Sequence, residues 1–267
     1  MEAVVFEKFR DLVYDTSGIS LGPNKVALLT ARIGKRMRLL GVSTHIEYYN
    51  RILSDESGIE IRELLNAIST NVTHFFREDR HFDFLANIVK ERSAQPNKSL
   101  RIWCAASSTG EEPYTIGMTI LQNSINTLKA DIIASDISTR VLQVAKKGIY
   151  RDQDVRDIPK PILKRFFQQG VGRAAAYYRV KSELRDMVEF KQINLSTPPF
   201  PVNGPVDIIF CRNVMIYFNE ELKRKLVESF HSLLSPNGFL IVGLAESLTG
   251  KAKGFVNVEP SVYRKMA

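Results

Sequence analysis

Several features that mark other protein classes are scarce or absent in this sequence. Its 267 residues contain only two cysteines, Cys104 and Cys211, and neither belongs to a CxxC pair or a Cys/His cluster. A disulfide framework is therefore excluded, and we interpret both thiols as reduced and structural. No apolar run approaches the roughly 18 residues of a membrane helix, and the first residues interleave acids with bases where a secretory signal would be apolar. We therefore expect a cytoplasmic protein.

Common catalytic signatures are missing as well. The sequence contains no HExxH, P-loop or GxSxG motif, and its four histidines show neither metal-ligand nor triad spacing. We therefore predict no metal site, and we assign the histidines to helix-surface or interdomain positions. The composition, with 44% apolar and 25% charged residues, is typical of a folded globular protein.

Positive charge is unevenly distributed along the chain. Lysine and arginine exceed aspartate and glutamate by 37 − 29 = 8. Residues 140–191 carry 13 bases and 6 acids, whereas residues 1–94 carry 13 of each. Within that balanced part, residues 16–46 contain five bases and no acid. Such an excess permits a nucleic acid, a membrane surface or an acidic protein as partner without choosing among them.

Two patterns of apolar residues divide the chain. Up to about residue 92, apolar residues recur every three or four positions, which predicts an all-α N-terminal domain over 1–92. Its clearest helix spans 25–40, where one face is apolar and the opposite face carries Arg32, Lys35 and Arg38. Residues 93–99, SAQPNKS, are predicted to form a linker.

From residue 100 to residue 267, short apolar runs alternate with helical stretches, which is typical of a parallel sheet with crossover helices. This α/β domain is predicted to have strands near 100–105, 131–135, 188–193, 206–211 and 239–244, with helices near 111–124, 139–147 and 220–234. The interval of about 148–187 is too long for an ordinary connection and contains FFQQGVGRAAAYYRV. We interpret it as a small inserted β-hairpin subdomain.

The loop after the first predicted strand favours one kind of ligand. Residues 106–113, ASSTGEEP, contain one glycine where a dinucleotide fingerprint needs three, and Glu111 and Glu112 would repel a pyrophosphate. NAD, FAD and ATP are therefore disfavoured. A phosphate-free cofactor with positive charge, such as S-adenosylmethionine, fits better, although both glutamates are also ordinary residues for the first turn of a helix.

Polar residues follow several predicted strands at one edge of the sheet, where ligands bind in α/β folds. Asp136 ends the second strand and is a candidate for holding ribose hydroxyls or, alternatively, for capping the next helix. Asn194-Leu195 and residues 211–218, CRNVMIYF, follow later strands. Residues 70–78, TNVTHFFRE, place Arg77 at the predicted domain junction, a favoured position for ligand pockets.

Together, the segments TNVTHFFR, SSTGEEPY, ASDI, NL and CRNVMIYF resemble the motifs of the CheR family of chemotaxis receptor methyltransferases over nearly the whole chain. The resemblance implies a Rossmann-like, S-adenosylmethionine-dependent methyltransferase domain after the helical domain, with S-adenosylhomocysteine as product. The implied reaction is methyl esterification of glutamates on the cytoplasmic domain of membrane chemoreceptors. In this family the inserted hairpin can dock a receptor's C-terminal peptide. We expect no nucleic-acid partner and no direct membrane insertion.

The same resemblance implies site residues. Arg77 and Tyr217 are implied to lie nearest the transferred methyl group, where no general base is needed because a glutamate is already ionised at neutral pH. Arg32, Lys35 and Arg38 are predicted to dock acidic receptor helices, the alternative being an ordinary solvated face. The implied cofactor contacts are Asn71, Thr73, Arg77, Glu112, Asp136, Asn194, Leu195, Arg212 and Asn213.

Two blocks depart from the family pattern, and in one of them Ser107 stands where alanine is common. Residues 243–246 read Gly-Leu-Ala-Glu where the family usually has Gly-His-Ser-Glu or Gly-His-Ala-Glu, so any role of that histidine is absent here. The residues alone leave other functions open. These are a methyltransferase for RNA, a small molecule or another acidic protein, and a non-catalytic adaptor that senses S-adenosylmethionine.

Overall fold

The N-terminal part of the chain is helical. The computed structural model describes residues 1–95, 98–126, 128–248 and 252–266. Its first α-helices are Ala3–Ser17 (α1), Val26–Leu40 (α2), His45–Ser54 (α3), Ile59–Ile68 (α4) and Arg80–Ser93 (α5). Helices α1 and α2 each end at a glycine of positive φ, Gly18 and Gly41, a conformation that glycine adopts without steric cost. The helix predicted over 25–40 is α2.

Helices α1 to α4 share one apolar core. Phe9, Val13, Leu29, Ile33 and Leu64 are almost completely buried in it. These side chains recur at helical spacing, so burying their stripe packs the four helices together. The opposite face of α2 is left at the surface.

Helix α5 packs against the sheet instead of joining that core. Phe82, Leu85 and Val89 lie in one apolar cluster with the sheet residues Leu100 and Ile102. The predicted domain boundary at residue 92 and the linker over 93–99 remain predictions, and the packing of α5 favours a boundary before this helix. Residues 96 and 97 of that linker lie outside the described residues.

Strands and helices alternate in the rest of the chain. The strands are β1 (Ser99–Ala105), β2 (Lys129–Asp136), β3 (Ile149–Arg151), β4 (Phe167–Gln169), β5 (Tyr177–Val180), β6 (Val188–Gln192), β7 (Val206–Cys211), β8 (Leu234–Val242), β9 (Phe255–Glu259) and β10 (Val262–Lys265). The helices are α6 (Glu111–Asn123), α7 (Thr139–Lys147), α8 (Asp152–Val155), α9 (Lys160–Phe166), α10 (Ser182–Arg185) and α11 (Glu220–Leu233).

Seven strands form the main sheet, in the order β6-β2-β1-β7-β8-β10-β9. The first five are parallel, whereas β10 is antiparallel to both of its neighbours. All five predicted strands overlap observed ones, which confirms the α/β prediction. The sequence prediction did not include β9 and β10. Both strands are short, and the residues of β9 are mostly exposed. Strand order reverses between β1 and β7, and ligands bind at such switch points.

The interval predicted as an insertion forms a second, three-stranded antiparallel sheet in the order β3-β5-β4. It packs on α6 through a cluster that contains Tyr114, Tyr150, Phe166 and Leu184. The approach is close, because a Cβ added to Gly117 of α6 would lie 2.4 Å from Leu184 Cδ1. Across the part of the chain that is described, no helix has the length and apolarity needed to span a bilayer.

Candidate active site

A cavity lies at the switch point of the main sheet. Ala105, the last residue of β1, pairs with Ser135 of β2 and with Cys211 of β7, so the loops after these three strands begin at the same level. The cavity between them encloses about 860 Å³ of space, part of which is open to solvent. Its lining includes every cofactor contact implied by the sequence together with Tyr217, namely Asn71, Thr73, Arg77, Glu112, Asp136, Asn194, Leu195, Arg212, Asn213 and Tyr217.

Backbone conformations of positive φ concentrate around this cavity. Ala106, Ser108 and Asn213 line it with φ values of 68°, 48° and 57°. Phe76 and Glu78, on either side of Arg77, have φ values of 58° and 56°. Non-glycine residues rarely adopt this region, and such residues cluster at binding and catalytic sites. These turns therefore direct side chains and N–H groups toward the cavity in orientations that ordinary loop conformations would not allow.

Arg212 connects the separate segments of the site. Its guanidinium is fully buried and lies 3.2 Å from Glu78 Oε2 and 2.9 Å from Glu112 Oε2. It also donates a hydrogen bond to the carbonyl oxygen of Arg77 and stacks over the ring of Phe82. One side chain from the loop after β7 thus holds the start of α6 and the segment that precedes α5.

The carboxylates around Arg212 differ in their proton affinity. Burial raises the pKa of Glu112, although the charge of Arg212 opposes the rise. Burial would also raise the pKa of Glu78, but the hydrogen bond from Asn213 and the charge of Arg212 outweigh it, so that this pKa is lowered. Glu111 does not line the cavity, since its carboxylate accepts a hydrogen bond from Thr109 at 2.7 Å. Of the two adjacent glutamates, only Glu112, the implied cofactor contact, therefore faces the cavity.

Asp136 lies at the end of β2, facing the cavity. Its Oδ2 accepts a hydrogen bond from the backbone N–H of Ser108 and its Oδ1 from that of Ser138, both at 2.9 Å. Burial nevertheless raises its pKa. Ser138, not Asp136, caps α7 by accepting from Val141 N–H. The alternative interpretation of Asp136 as the helix cap is therefore wrong.

The two residues implied to lie nearest the methyl group occupy different segments. Arg77 donates from Nη1 to the carbonyl oxygen of Val72 at 2.9 Å, which closes the turn that carries Asn71 and Thr73. Tyr217 belongs to a short 3-10 helix over Met215–Tyr217, and its carbonyl oxygen accepts from Ser20 N–H.

The helical part of the chain also contributes to the cavity. Ser17, the last residue of α1, and Ile19, two positions later, line it. Asn194 donates from Nδ2 to the carbonyl oxygen of Thr16 at 2.7 Å and accepts at Oδ1 from Ser196. The Asn194 side chain therefore anchors the end of α1 as well as facing the cavity. Sequence reasoning missed Ser17 and Ile19, because no local motif marks them.

Two acidic residues behind the cavity wall also escaped the sequence prediction. Glu78 holds Arg212, the side-chain amide of Asn213 and the backbone N–H of Leu244. Glu246 accepts backbone hydrogen bonds in the loop after β7. Glu78 follows the TNVTHFFR segment and Glu246 ends the Gly-Leu-Ala-Glu block, but neither position carries a sequence signal that separates a buried carboxylate from a surface one.

The predicted receptor-docking residues do not share one environment. Lys35 and Arg38 are exposed on α2. Arg32 is half-buried and donates to the carbonyl oxygens of Ile68 and Ser69 and to Thr70 Oγ1, so it braces the segment that enters the cavity. Arg32 is thus engaged within the chain, whereas the other two are available to a partner.

The donor set of the cavity suits a cationic, phosphate-free cofactor. When ionised, Glu78, Glu112 and Asp136 contribute three negative charges, and Arg77 and Arg212 contribute two positive ones, which leaves −1 in and behind the wall. S-adenosylmethionine carries a sulfonium, an ammonium and a carboxylate, a net charge of +1, and its hydroxyls and ammonium require acceptors. The two cavity-facing carboxylates supply them, while a pyrophosphate would face repulsion.

Comparison with known proteins yields a consistent set of relatives. The family profile described as CheR methyltransferase, SAM binding domain, matches residues 71–264, and the profile described as CheR methyltransferase, all-alpha domain, matches residues 5–69. The chain is 40% identical over 260 residues to Chemotaxis protein methyltransferase 2 of Pseudomonas aeruginosa, spanning 97% of this chain and 91% of that protein. It is 37% identical over 260 residues to the Chemotaxis protein methyltransferase of Escherichia coli, spanning 97% and 89%. The two profiles meet between α4 and α5.

Proposed function

The chain belongs to the CheR family of methyltransferases, and from this premise we propose how the residues of its cavity act. It is an S-adenosylmethionine-dependent protein-glutamate O-methyltransferase that forms methyl esters on chemoreceptors in chemotaxis. One observation carries the residue assignments: the nine cofactor candidates and Tyr217, scattered over almost 150 positions of the sequence, converge on a single cavity.

We propose that the carboxylates of this cavity bind the polar ends of the cofactor. Asp136, at the end of β2, is suited to the ribose hydroxyls, because both of its oxygens are already oriented by backbone N–H groups. Glu112 is suited to the ammonium group. Ile137, Ile193 and Val214 supply an apolar wall against which an adenine ring can pack.

The transfer itself needs little proton chemistry from the protein. The bound cofactor supplies a methyl group on a positively charged sulfur. A substrate glutamate has an unperturbed pKa of about 4.3, so it arrives as a carboxylate and attacks the methyl carbon without a base. One oxygen–carbon bond forms as the carbon–sulfur bond breaks. The task of the protein is to align these atoms and to exclude water, and good alignment contributes about 7–11 kcal/mol.

Arg77 and Tyr217 are proposed as the aligning residues. The carbonyl oxygen of Arg77 is held by Arg212 and its guanidinium by Val72, so the side chain projects from a fixed turn. Charge disappears as the neutral ester forms, and a tight ion pair between Arg77 and the glutamate would stabilise the ground state most. We therefore assign Arg77 a contact shared between cofactor and substrate rather than a bidentate clamp on the carboxylate.

We propose that the receptor docks on α2 in the cytoplasm. Lys35 and Arg38 lie exposed on this helix, and α2 is tied to the cavity entrance through the contacts of Arg32 with Ser69 and Thr70. Positive charge at this position would attract acidic helices and orient them toward the cavity.

We further propose that the inserted sheet binds a receptor's C-terminal peptide. Strand β4 lies at an edge of the β3-β5-β4 sheet, and its backbone groups can pair with an added extended segment. Val171 and Tyr177, in the adjoining hairpin, are exposed apolar side chains. Fluorescence titration with a labelled receptor C-terminal peptide tests this, and Val171→Asp should weaken binding while leaving cofactor affinity unchanged. No binding by the wild type would reject it.

Incubation with radiolabelled S-adenosylmethionine and chemoreceptor-containing membranes tests the residue roles. Wild type should place base-labile label on the receptor. Tyr217→Phe should lower kcat about tenfold, and Arg77→Ala should lower it further, since both remove alignment. S-adenosylhomocysteine affinity, measured by calorimetry, should fall much less for Tyr217→Phe. Unchanged kcat in both variants would refute their assignment.

A further inference from the structure

Glu246 occupies an unusual position beside the catalytic loop. It is buried, and its carboxylate accepts three backbone hydrogen bonds. Oε2 accepts from Asn213 N–H at 2.6 Å and from Gly243 N–H at 2.9 Å, and Oε1 accepts from Ile216 N–H at 3.1 Å. Among the described residues no lysine or arginine lies within ion-pair distance of it. Backbone dipoles, not a cation, therefore stabilise this buried charge.

Two of these bonds join the segment after β8 to the loop that follows β7, and the bond from Gly243 lies within the segment after β8 itself. Asn213, the second residue of the loop, has a left-handed conformation, and Ile216 is the middle residue of the 3-10 helix that ends at Tyr217. N–H groups in the first turn of a helix lack acceptors within the helix. Glu246 supplies the acceptor for one of them, the N–H of Ile216. The carboxylate thereby fixes the orientation of the segment that carries both Asn213 and Tyr217.

Gly243 shows how closely the two segments meet. A Cβ added at this residue would lie 2.6 Å from Asn213 Nδ2, 2.7 Å from Glu246 Oε2 and 3.0 Å from Asn213 N. Any side chain here would push the carboxylate away from the loop. The glycine and the glutamate of the Gly-Leu-Ala-Glu block therefore form the same contact with the loop after β7. The side chain at the position where the family usually has histidine takes no part in this contact.

We propose that Glu246 is a positioning residue for methyl transfer: its carboxylate sets the loop of Asn213 and Tyr217 at the geometry that the reaction requires. The inference rests on the role proposed for Tyr217 above. Glutamine at position 246 retains the size of the side chain but replaces one acceptor oxygen by an NH2 group. At least one of the three N–H groups then faces a donor instead of an acceptor.

The test combines Glu246→Gln with Tyr217→Phe. Glu246→Gln should lower kcat about 30-fold, because a displacement of less than 1 Å in a reacting group is costly, while affinity for S-adenosylhomocysteine changes less than fivefold. In the Tyr217→Phe background the same change should cost only about threefold, since the hydroxyl to be positioned is gone. Gly243→Ala, which alters no charge, should reproduce the kcat loss even if Glu246→Gln folds poorly.

The matched control is Ala245→Ser, an exposed site in the same turn, which should leave kcat unchanged. Normal kcat in both Glu246→Gln and Gly243→Ala would overturn the inference. So would strict additivity with Tyr217→Phe, because Glu246 would then act independently of that residue. If Tyr217→Phe alone leaves kcat unchanged, the role proposed for Tyr217 fails and this inference fails with it.

Discussion

Replacing Arg212 by methionine would test the ion-pair cluster at the base of the cavity. The guanidinium is fully buried between Glu78 and Glu112, 3.2 and 2.9 Å away. Methionine fills a similar volume but leaves two carboxylates without their cation. Removal of one partner from a buried ion pair costs about 3–5 kcal/mol, and a chain of this size loses roughly 2–3 °C in Tm per kcal/mol. The expected decrease in Tm at pH 8 is therefore about 6–15 °C.

The loss should depend on pH in a defined direction. Burial already raises the pKa of Glu112, and removing the opposing charge of Arg212 raises it further. A carboxyl whose pKa is higher in the folded than in the unfolded state contributes stability that is fully present below the unfolded pKa and is lost as pH rises through the folded one. The difference in stability between variant and wild type should therefore be smaller at pH 5 than at pH 8.

Thermal and urea unfolding of three proteins provide the measurement: wild type, Arg212→Met, and Arg212→Met combined with Glu112→Gln. The double variant removes one of the unpaired charges, so it should recover about half of the lost stability at pH 8. A Tm decrease below about 2 °C in the single variant, or a loss of equal size at pH 5 and pH 8, would refute the assignment of these groups as a buried ion-pair cluster.

Three further predictions concern other parts of the molecule. Reversing charge at Lys35 and Arg38, but not at the structurally engaged Arg32, should slow receptor methylation about tenfold at low salt with S-adenosylhomocysteine affinity unchanged; equal losses in both assays would contradict receptor docking there. Asp136→Asn should weaken cofactor binding by calorimetry about 10-fold, and an unchanged Kd would remove Asp136 from the site. Burial lowers the pKa of His81 to about 4, so the unfolded state binds more protons than the folded state between pH 6.5 and 4, and stability falls as pH drops through that window. In urea unfolding, His81→Gln should flatten the dependence of the unfolding free energy on pH. A dependence as steep as that of the wild type would show that His81 is not its cause.

The main elements of the fold could be predicted from local patterns. Short apolar runs such as residues 102–105 (IWCA) of β1 and 208–211 (IIFC) of β7 indicate buried parallel strands, and the 3.6-residue stripe of α2 indicates an amphipathic helix. The loops at the carboxyl ends of such strands must meet at one edge, so candidate residues in several loops could be placed together from the sequence alone. Short, exposed β9 lacks an apolar run and gave no comparable signal.

Local sequence patterns could not predict the contacts between distant segments. Helix α5 has the same amphipathic pattern as its predecessors, and only the partner of its apolar face shows that it belongs with the sheet. Likewise, Arg32 and Lys35 are both positively charged and lie close together on α2. Only Arg32 forms hydrogen bonds with the segment after α4. Periodicity specifies which face of a helix is buried, but not what covers it.

The amino-acid sequence by itself determined the alternation of elements, the edge at which ligand-binding loops gather, and the preference for a cationic ligand without phosphate. Tertiary structure alone decided which charges are buried and which groups compensate them. Arg212 meets Glu112 across 100 positions and Glu246 meets Asn213 across 33. The energy of a charge depends on the dipoles and ions within a few ångströms of it, and the folded chain, not sequence proximity, brings these together.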